Sequence, residues 1–134
     1  MTDLAVVTKA KDLATYIFTV TEKSPKRFRF TLVTRMQNTC LDLLDSLHLA
    51  NEVWIERKGQ KPEALAENVR RRRDFQQGAL CAAKRLDYLL TFSREFGAIL
   101  PKQQEHGSML LAEVTRMIGG WIKSDRMRFE RKEE

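Results

Sequence analysis

The side chains that could hold a metal are concentrated in two histidines and two cysteines. A di-iron site in a helical bundle needs a Glu-x-x-His motif on two helices and a carboxylate from each of the others. Asp45 precedes His48 by three residues, but Gln103 occupies the equivalent position before His106. Half a motif cannot complete the ligand set. The sequence therefore predicts no metal site, and His48 is interpreted as a polar or half-buried bundle residue.

Nucleophilic catalysis is not indicated either. Cys40 and His48 are eight residues apart, which is about 12 Å along a helix and too far for a thiolate–imidazole pair. Cys81 and His106 fall on different predicted helices, and there is no glycine-rich phosphate loop and no metal-spaced cysteine set. We predict a protein that is not an enzyme and needs no cofactor. Both thiols are expected to be small buried hydrophobic groups, although a disulfide is an alternative.

The chemistry that the sequence does favour is the binding of negative charge. Four consecutive arginines occupy residues 70–73, and at about 100° per residue they turn through about 300° of a helix. One of them must lie near the apolar stripe. Arg72 is that residue, since it follows Leu65 and precedes Ala79 by seven positions each. A buried arginine is costly unless it is paired, so we expect Arg72 at the rim of the bundle or against another subunit.

The other three arginines of the run are expected to point outward. Glu67 and Asp74 can offset part of their charge through pairs one turn apart, each worth only ~0.2–0.5 kcal/mol. Two further clusters accompany the run. The first interleaves cations with Phe28 and Phe30 at the start of a predicted helix, where the macrodipole disfavours positive charge. The second is the cluster at the C-terminus. The candidate nucleic-acid-binding residues are Lys26, Arg27, Arg29, Arg70, Arg71, Arg73, Lys84, Arg85, Lys123, Arg126 and Arg128.

Each of these two clusters also has a simpler explanation. The rings of Phe28 and Phe30 could pack while the arginine stems merely cover them. The C-terminal cluster, which continues to Arg131 and Lys132, is well placed for the dipole of the last helix. The whole chain nevertheless has 24 Lys and Arg against 18 Asp and Glu, a net charge of +6, and such an excess favours polyanionic partners.

The elements that must position these side chains are helical throughout. Pro25, Pro62 and Pro101 each fit the first turn of a helix, with Ser24 as a cap before the first of them. Between them apolar residues recur every three or four positions over about residues 3–23, 25–55, 62–96 and 102–124 or further. The second and third stripes end at Trp54 and Phe96. Short connections make neighbouring helices antiparallel.

This pattern predicts an all-α fold, an up-down-up-down antiparallel four-helix bundle over residues 1–124. Residues 125–134 read as a charged C-terminal tail. The N-terminus has no signal-peptide pattern, and no apolar run approaches the ~20 residues that a membrane span requires. A cytoplasmic protein without a membrane partner is expected.

The segment "MLLAEVTRMIGGWIKSDR", residues 109–126, adds a more specific signal. Gly119 and Gly120 inside a helix cost about 1 kcal/mol each relative to alanine. They are tolerable where a backbone must approach closely beside Trp121, so all three are expected to take part in helix or subunit packing. The segment resembles the closing helix of the four-helix-bundle family that contains Avd, the accessory variability determinant of diversity-generating retroelements. The matching residues are Ala112, Glu113, Arg116, Met117, Ile118, Gly119, Gly120, Trp121 and Ile122.

This resemblance implies a closed homo-pentameric ring, in which five protomers of +6 carry +30. It implies a non-catalytic accessory protein that binds the retroelement's reverse transcriptase and its structured template RNA, possibly also cDNA, and supports mutagenic reverse transcription. The alternative is the branch of the same family encoded in ribosomal-RNA intervening sequences, a self-associating bundle that acts as a protein scaffold without binding nucleic acid. The arginines at 70–73 match no family pattern, so the resemblance assigns them no role.

Overall fold

The computed structural model describes residues 2–56 and 58–129, with side chains from residue 5 onward. It contains four α-helices: α1 (Thr2–Thr21), α2 (Thr34–Glu52), α3 (Pro62–Phe96) and α4 (Pro101–Phe129). A 3₁₀ turn (Lys26–Phe28) and a π-helical turn (Arg29–Val33) precede α2. Within the two described stretches there is no strand. The predicted all-helical architecture is confirmed.

Side-chain contacts show that neighbouring helices run in opposite directions. The amide of Gln37, early in α2, donates to the Thr21 hydroxyl at the end of α1. Arg85 and Asp42 pair in the middle of α3 and α2. The ring of Tyr16, late in α1, lies 4.6 Å from that of His106, early in α4. The helices pack in the order α1–α2–α3–α4 and back to α1, so the chain forms the predicted four-helix bundle.

The bundle therefore has two chemically different ends. One end holds the start of α3 and the ends of α2 and α4, and we call it the arginine end. The other end holds the end of α3, the start of α4 and the two turns before α2. These two turns, residues 26–33, we call the phenylalanine turn. About 24 residues of α3 separate Arg72 from Phe96 along the helix axis, a length of about 36 Å.

Two of the three prolines begin helices as predicted. Pro62 and Pro101 are the first residues of α3 and α4, and α3 ends at Gly97, whose φ of +85° favours glycine. Pro25 behaves differently, since it stands before the 3₁₀ turn and no side chain caps that turn, so Ser24 does not cap a helix. The Thr34 hydroxyl donates to the Arg29 carbonyl, which satisfies a carbonyl in the widened π turn before α2 begins.

The core follows the predicted helical stripes with two exceptions, Trp54 and Phe96, and of the two thiols expected to be buried only Cys40 is. Its largest fully buried side chains include Leu13, Ile17, Met36, Leu43, Leu47, Leu86, Leu90 and Ile118. Trp54 is 70% exposed, because α2 ends at Glu52 and the indole lies on the loop. Phe96 is exposed because Ala98 and Ile99 of the next loop fill that end of the core. Cys81 is exposed, since it lies about 200° around α3 from buried Ala79.

Helix α4 continues past Ser124, where the sequence suggested that a tail begins. It runs through Phe129, and Asp125 is buried at 3% exposure. Residues 125–129 thus form the last turn and a half of α4, while residues 130–134 of the predicted tail lie outside the described part of the chain. None of the helices in the described part is both long and apolar enough to cross a membrane.

Candidate nucleic-acid interface

The arginine run lies on the third turn of α3, which Pro62 starts and Glu63 supports with negative charge in the first turn. Arg70 and Arg71 are exposed and Arg73 is half-buried. Arg70 forms an ion pair with Glu67, one turn back as predicted. Arg71 donates a long 3.4 Å hydrogen bond to Asn68. Exposed contacts of this kind contribute about 0–1 kcal/mol, so they leave the guanidinium groups available to another anion.

Arg72 is the buried member of the run, at 9% exposure. Its Nη1 donates to both carboxylate oxygens of Asp125, each at 3.1 Å, and its Nη2 donates to the Val53 carbonyl at 3.1 Å. The guanidinium also lies 5.7 Å from the centre of the Trp121 ring. Of the two expected positions, the rim and a subunit contact, the structure shows Arg72 near one end of its own bundle, where the buried Asp125 carboxylate compensates its charge.

A fourth side chain completes this buried cluster, since the amide of Gln76 donates to Asp125 at 3.1 Å. The cluster joins the end of α2, the start of α3 and the end of α4. The sequence pattern did not indicate Gln76 or Asp125, because the charged neighbours of Asp125 suggest a tail. A signal was present: Asp125 follows Ile118 by seven positions and Trp121 by four, and it therefore lies on the buried stripe of α4.

The Arg72–Asp125 contact brings two predicted clusters to one end of the molecule. Because α3 and α4 are antiparallel, Arg70 and Arg71 lie at the level of the last residues of α4. The exposed residues Lys123, Arg126 and Arg128 belong to that same end. Arg131 and Lys132 lie outside the described residues. The arginine end thus combines cations from two helices that the sequence separates by some fifty positions.

The remaining candidates lie elsewhere. Lys84 is exposed in the middle of α3, and Arg85 beside it pairs with Asp42 at 3.3 Å. They are about 18 Å along the helix from Arg73. Lys26, Arg27 and Arg29 are exposed on the phenylalanine turn, at the opposite end of the bundle. The structure therefore does not gather all eleven predicted residues into one surface.

The two glycines of α4 are exposed. A Cβ atom built on Gly119 or Gly120 would meet no other atom within 4 Å, so the close approach that these glycines were expected to allow is not made within the protomer. Trp121, next to them, is buried in the core beside Arg72. The glycines form an open patch on the exposed face of α4.

The groups that could support catalysis are scattered. No three His, Cys, Asp or Glu side chains come together as a metal-binding group in the part of the chain that the structure describes. His48 is exposed on α2 and His106 packs edge-on against Tyr16. Burial raises the pKa of the Cys40 thiol to about 12, which keeps it protonated at neutral pH and unsuited to act as a nucleophile.

Comparison with known proteins places the whole bundle in one family. Searches of curated proteins and of solved structures gave no match. A family model described as bAvd-like matches residues 4–125, from the first turn of α1 to the carboxylate that pairs with Arg72. This span covers most of the chain and includes the closing-helix motif with Gly119, Gly120 and Trp121. The chain therefore belongs to the bAvd-like family.

Proposed function

We propose that this bAvd-like protein is a non-catalytic accessory protein of a diversity-generating retroelement. It binds the reverse transcriptase together with structured template RNA, and possibly the cDNA, and so supports mutagenic reverse transcription. Membership of the family supports the accessory role. The observation that supports nucleic-acid binding is the arginine end, where exposed cations of α3 and α4 lie at the same end of the bundle while Arg72 is compensated internally by Asp125.

The arginine end suits phosphate contacts better than base recognition. Arg70 and Arg71 lie on the outside of α3, and their partners within the protein are the Glu67 carboxylate and the Asn68 side chain. Such weak pairs exchange readily for phosphate, and phosphate contacts position a protein on nucleic acid without reading its sequence. Displacement of counterions from the RNA then supplies much of the binding free energy and makes the affinity strongly dependent on salt.

Assembly into a homo-pentameric ring is part of this proposal. The open patch at Gly119 and Gly120 is the surface that we assign to a neighbouring protomer, because helix backbones approach closely only where side chains are absent. A ring multiplies each basic end by five, and its +30 charge would attract RNA from beyond contact distance. The same ring offers the reverse transcriptase a rigid scaffold.

The triple variant R70Q/R71Q/R73Q tests the interface. We expect it to weaken binding of a labelled structured RNA about tenfold or more at moderate salt, and to reduce the slope of log affinity against log salt by about two to three, since each lost phosphate contact changes the slope by about 0.7–0.9. Fluorescence anisotropy over a salt series measures both quantities. Circular dichroism should show unchanged helix content.

The matched control is K9Q/K11Q/R116Q, which removes the same charge from the middle of α1 and α4. Lys9 and Arg116 take part only in exposed pairs with Glu113. This control should retain most of the affinity and the salt slope. Equal losses in both triple variants would show that net charge, and not the arginine end, governs binding.

The second candidate function is that of the intervening-sequence branch, a bundle that self-associates and scaffolds proteins without binding nucleic acid. The exposed glycine patch favours it, because that patch suits a helix of a second protomer whether or not RNA is bound. A well-defined ring that fails to bind RNA even at low salt would favour this function over the accessory one.

A further inference from the structure

The phenylalanine turn carries an aromatic ring that the fold does not use. Phe30 is 84% exposed, more than any other large hydrophobic residue in the described part of the chain. Its neighbour Phe28 is half-buried, and the Arg27 guanidinium lies 4.6 Å from the centre of that ring. Phe30 has no ring or cation contact among the described residues. Packing of the ring under an arginine side chain therefore explains Phe28, but it does not explain Phe30.

The turn that holds this ring carries charge of one sign, although exposed Glu22 precedes it and lines the same cavity as Arg29. Residues 23–41 contain five Lys and Arg and no Asp or Glu. Lys26, Arg27 and Arg29 are exposed, and none of them pairs with a carboxylate that the structure describes. The turn also precedes the N-terminus of α2, where the helix dipole adds positive potential. Cations accumulate here against the local electrostatics, which is the arrangement expected where an external anion compensates them.

Other exposed aromatic residues lack this setting. Tyr88, Phe92 and Phe96 line the outer face of α3, but Asp87 and Glu95 lie beside them on the same helix, so that surface has mixed charge. An exposed ring beside cations is the combination that proteins use for single-stranded nucleic acid. A base stacks on the ring, and the flanking cations contact the phosphates without regard to sequence.

We infer that the phenylalanine turn is a second nucleic-acid site, in which Phe30 stacks on an unpaired base while Lys26, Arg27 and Arg29 contact the adjacent phosphates. This inference rests on the proposed function, since it assumes that the protein binds RNA or cDNA. It assigns single strands to this end and leaves structured RNA to the arginine end, about 36 Å away along the bundle.

The test compares Phe30→Ala with the unchanged protein, using a labelled 12-nucleotide oligouridine and a 12-base-pair RNA duplex as probes. Loss of one stacked base should weaken oligouridine binding about tenfold or more, and duplex binding should stay within about twofold. The salt slope for oligouridine should not change, because a ring releases no counterions. Tyr88→Ala is the matched control, an equally drastic loss of an exposed ring from mixed-charge surroundings, and it should bind both probes normally.

Two further variants separate stacking from apolar contact. Phe30→Trp should bind oligouridine as well as the unchanged protein or better, whereas Phe30→Leu should lose affinity as Phe30→Ala does. Full affinity in Phe30→Leu would overturn the stacking role. Unchanged oligouridine binding in Phe30→Ala would also overturn the inference, and so would a variant that loses self-association and keeps its oligouridine affinity. Neither result would contradict the proposal for the arginine end. Absence of any RNA binding by the unchanged protein would remove both proposals together.

Discussion

At the scale of single residues, the feature with the largest energetic consequence is the buried pair of Arg72 and Asp125. Both side chains are almost completely removed from water, and the guanidinium makes hydrogen bonds to the carboxylate and to the Val53 carbonyl. Desolvation offsets much of the attraction in such a pair, so its presence alone adds little net stability. Removing one partner is different, because the remaining charge is then buried without compensation.

Asp125→Ala should therefore lower the free energy of unfolding by about 3–5 kcal/mol. The double variant R72M/D125L removes both charges and keeps apolar volume, so it should be considerably more stable than Asp125→Ala alone. Urea denaturation, monitored by circular dichroism, measures the free energy of unfolding of both variants. If the single and the double variant lose equal stability, an uncompensated charge is not the cause.

The two thiols are also distinguished at this scale. Only Cys81 is exposed, while burial raises the pKa of Cys40 from its ordinary 9.0 to about 12. In the pH range from about 9 to 12 the unfolded chain has ionised Cys40 and the folded chain has not. The folded state then binds more protons than the unfolded state, so stability must fall as the pH rises through this window.

Comparison of the unchanged protein with Cys40→Ala isolates this effect. The difference in their unfolding free energies should shrink by about 1.4 kcal/mol per pH unit above pH 9, as urea melts at several pH values can measure. A thiol reagent at pH 8 should modify one cysteine in the native protein and two in denaturant. Modification of both in the native state would contradict the burial of Cys40.

At the scale of elements, the sequence predicted the helices correctly where the residues at a helix start and the apolar stripe indicated the same helix. Pro62 and Pro101 mark true helix starts, because the fixed φ of proline is a local property. Pro25 misled, since a proline start does not reveal that the chain will enter a 3₁₀ and then a π turn. The same turns expose Phe30, which periodicity alone could not indicate.

The candidate site was predictable in part for the same reason. Counting charges identified the arginine run and the basic end of α4, but it could not pair Arg72 with a residue 53 positions away. Asp125 was assigned to a tail because its neighbours in sequence are charged. Its place on the apolar stripe of α4 was the better guide, since burial depends on the helical face and not on local composition.

The glycines of α4 give a prediction at this scale. Gly119→Ala should stabilise the isolated bundle by up to about 1 kcal/mol, because alanine is the better helix former and its Cβ meets no atom within 4 Å. If the glycine patch contacts a neighbouring protomer, the same substitution should shift the assembly toward smaller species. Thermal melts and sedimentation velocity measure the two effects. Gly97→Ala, at positive φ, should be destabilising and serves as the contrast.

A gain in stability with unchanged assembly would remove the glycine patch from the ring interface. A loss of stability would mean that the helix backbone at Gly119 is constrained in a way that the structure does not show.

At the scale of the whole molecule, two basic ends separated by about 36 Å make affinity depend on the length of the RNA. An RNA duplex that binds the arginine end and carries a single-stranded tail long enough to reach the phenylalanine turn binds the second site intramolecularly, so its affinity should exceed that of either short probe by tenfold or more. A series of duplexes with single-stranded tails of increasing length should show this rise. In R70Q/R71Q/R73Q the affinity should stay nearly constant with length, and an identical rise in that variant would contradict a two-site arrangement.

The pairing of Arg72 with Asp125 also bears on the order in which the bundle forms. The two residues are 53 positions apart, and the contact can close only when α4 has folded back along α3. Contacts of such separation tend to form late, and mutations that remove late contacts accelerate unfolding more than they slow folding. Until α4 docks, all four arginines of the run remain hydrated, and one of them loses its water only as the bundle closes.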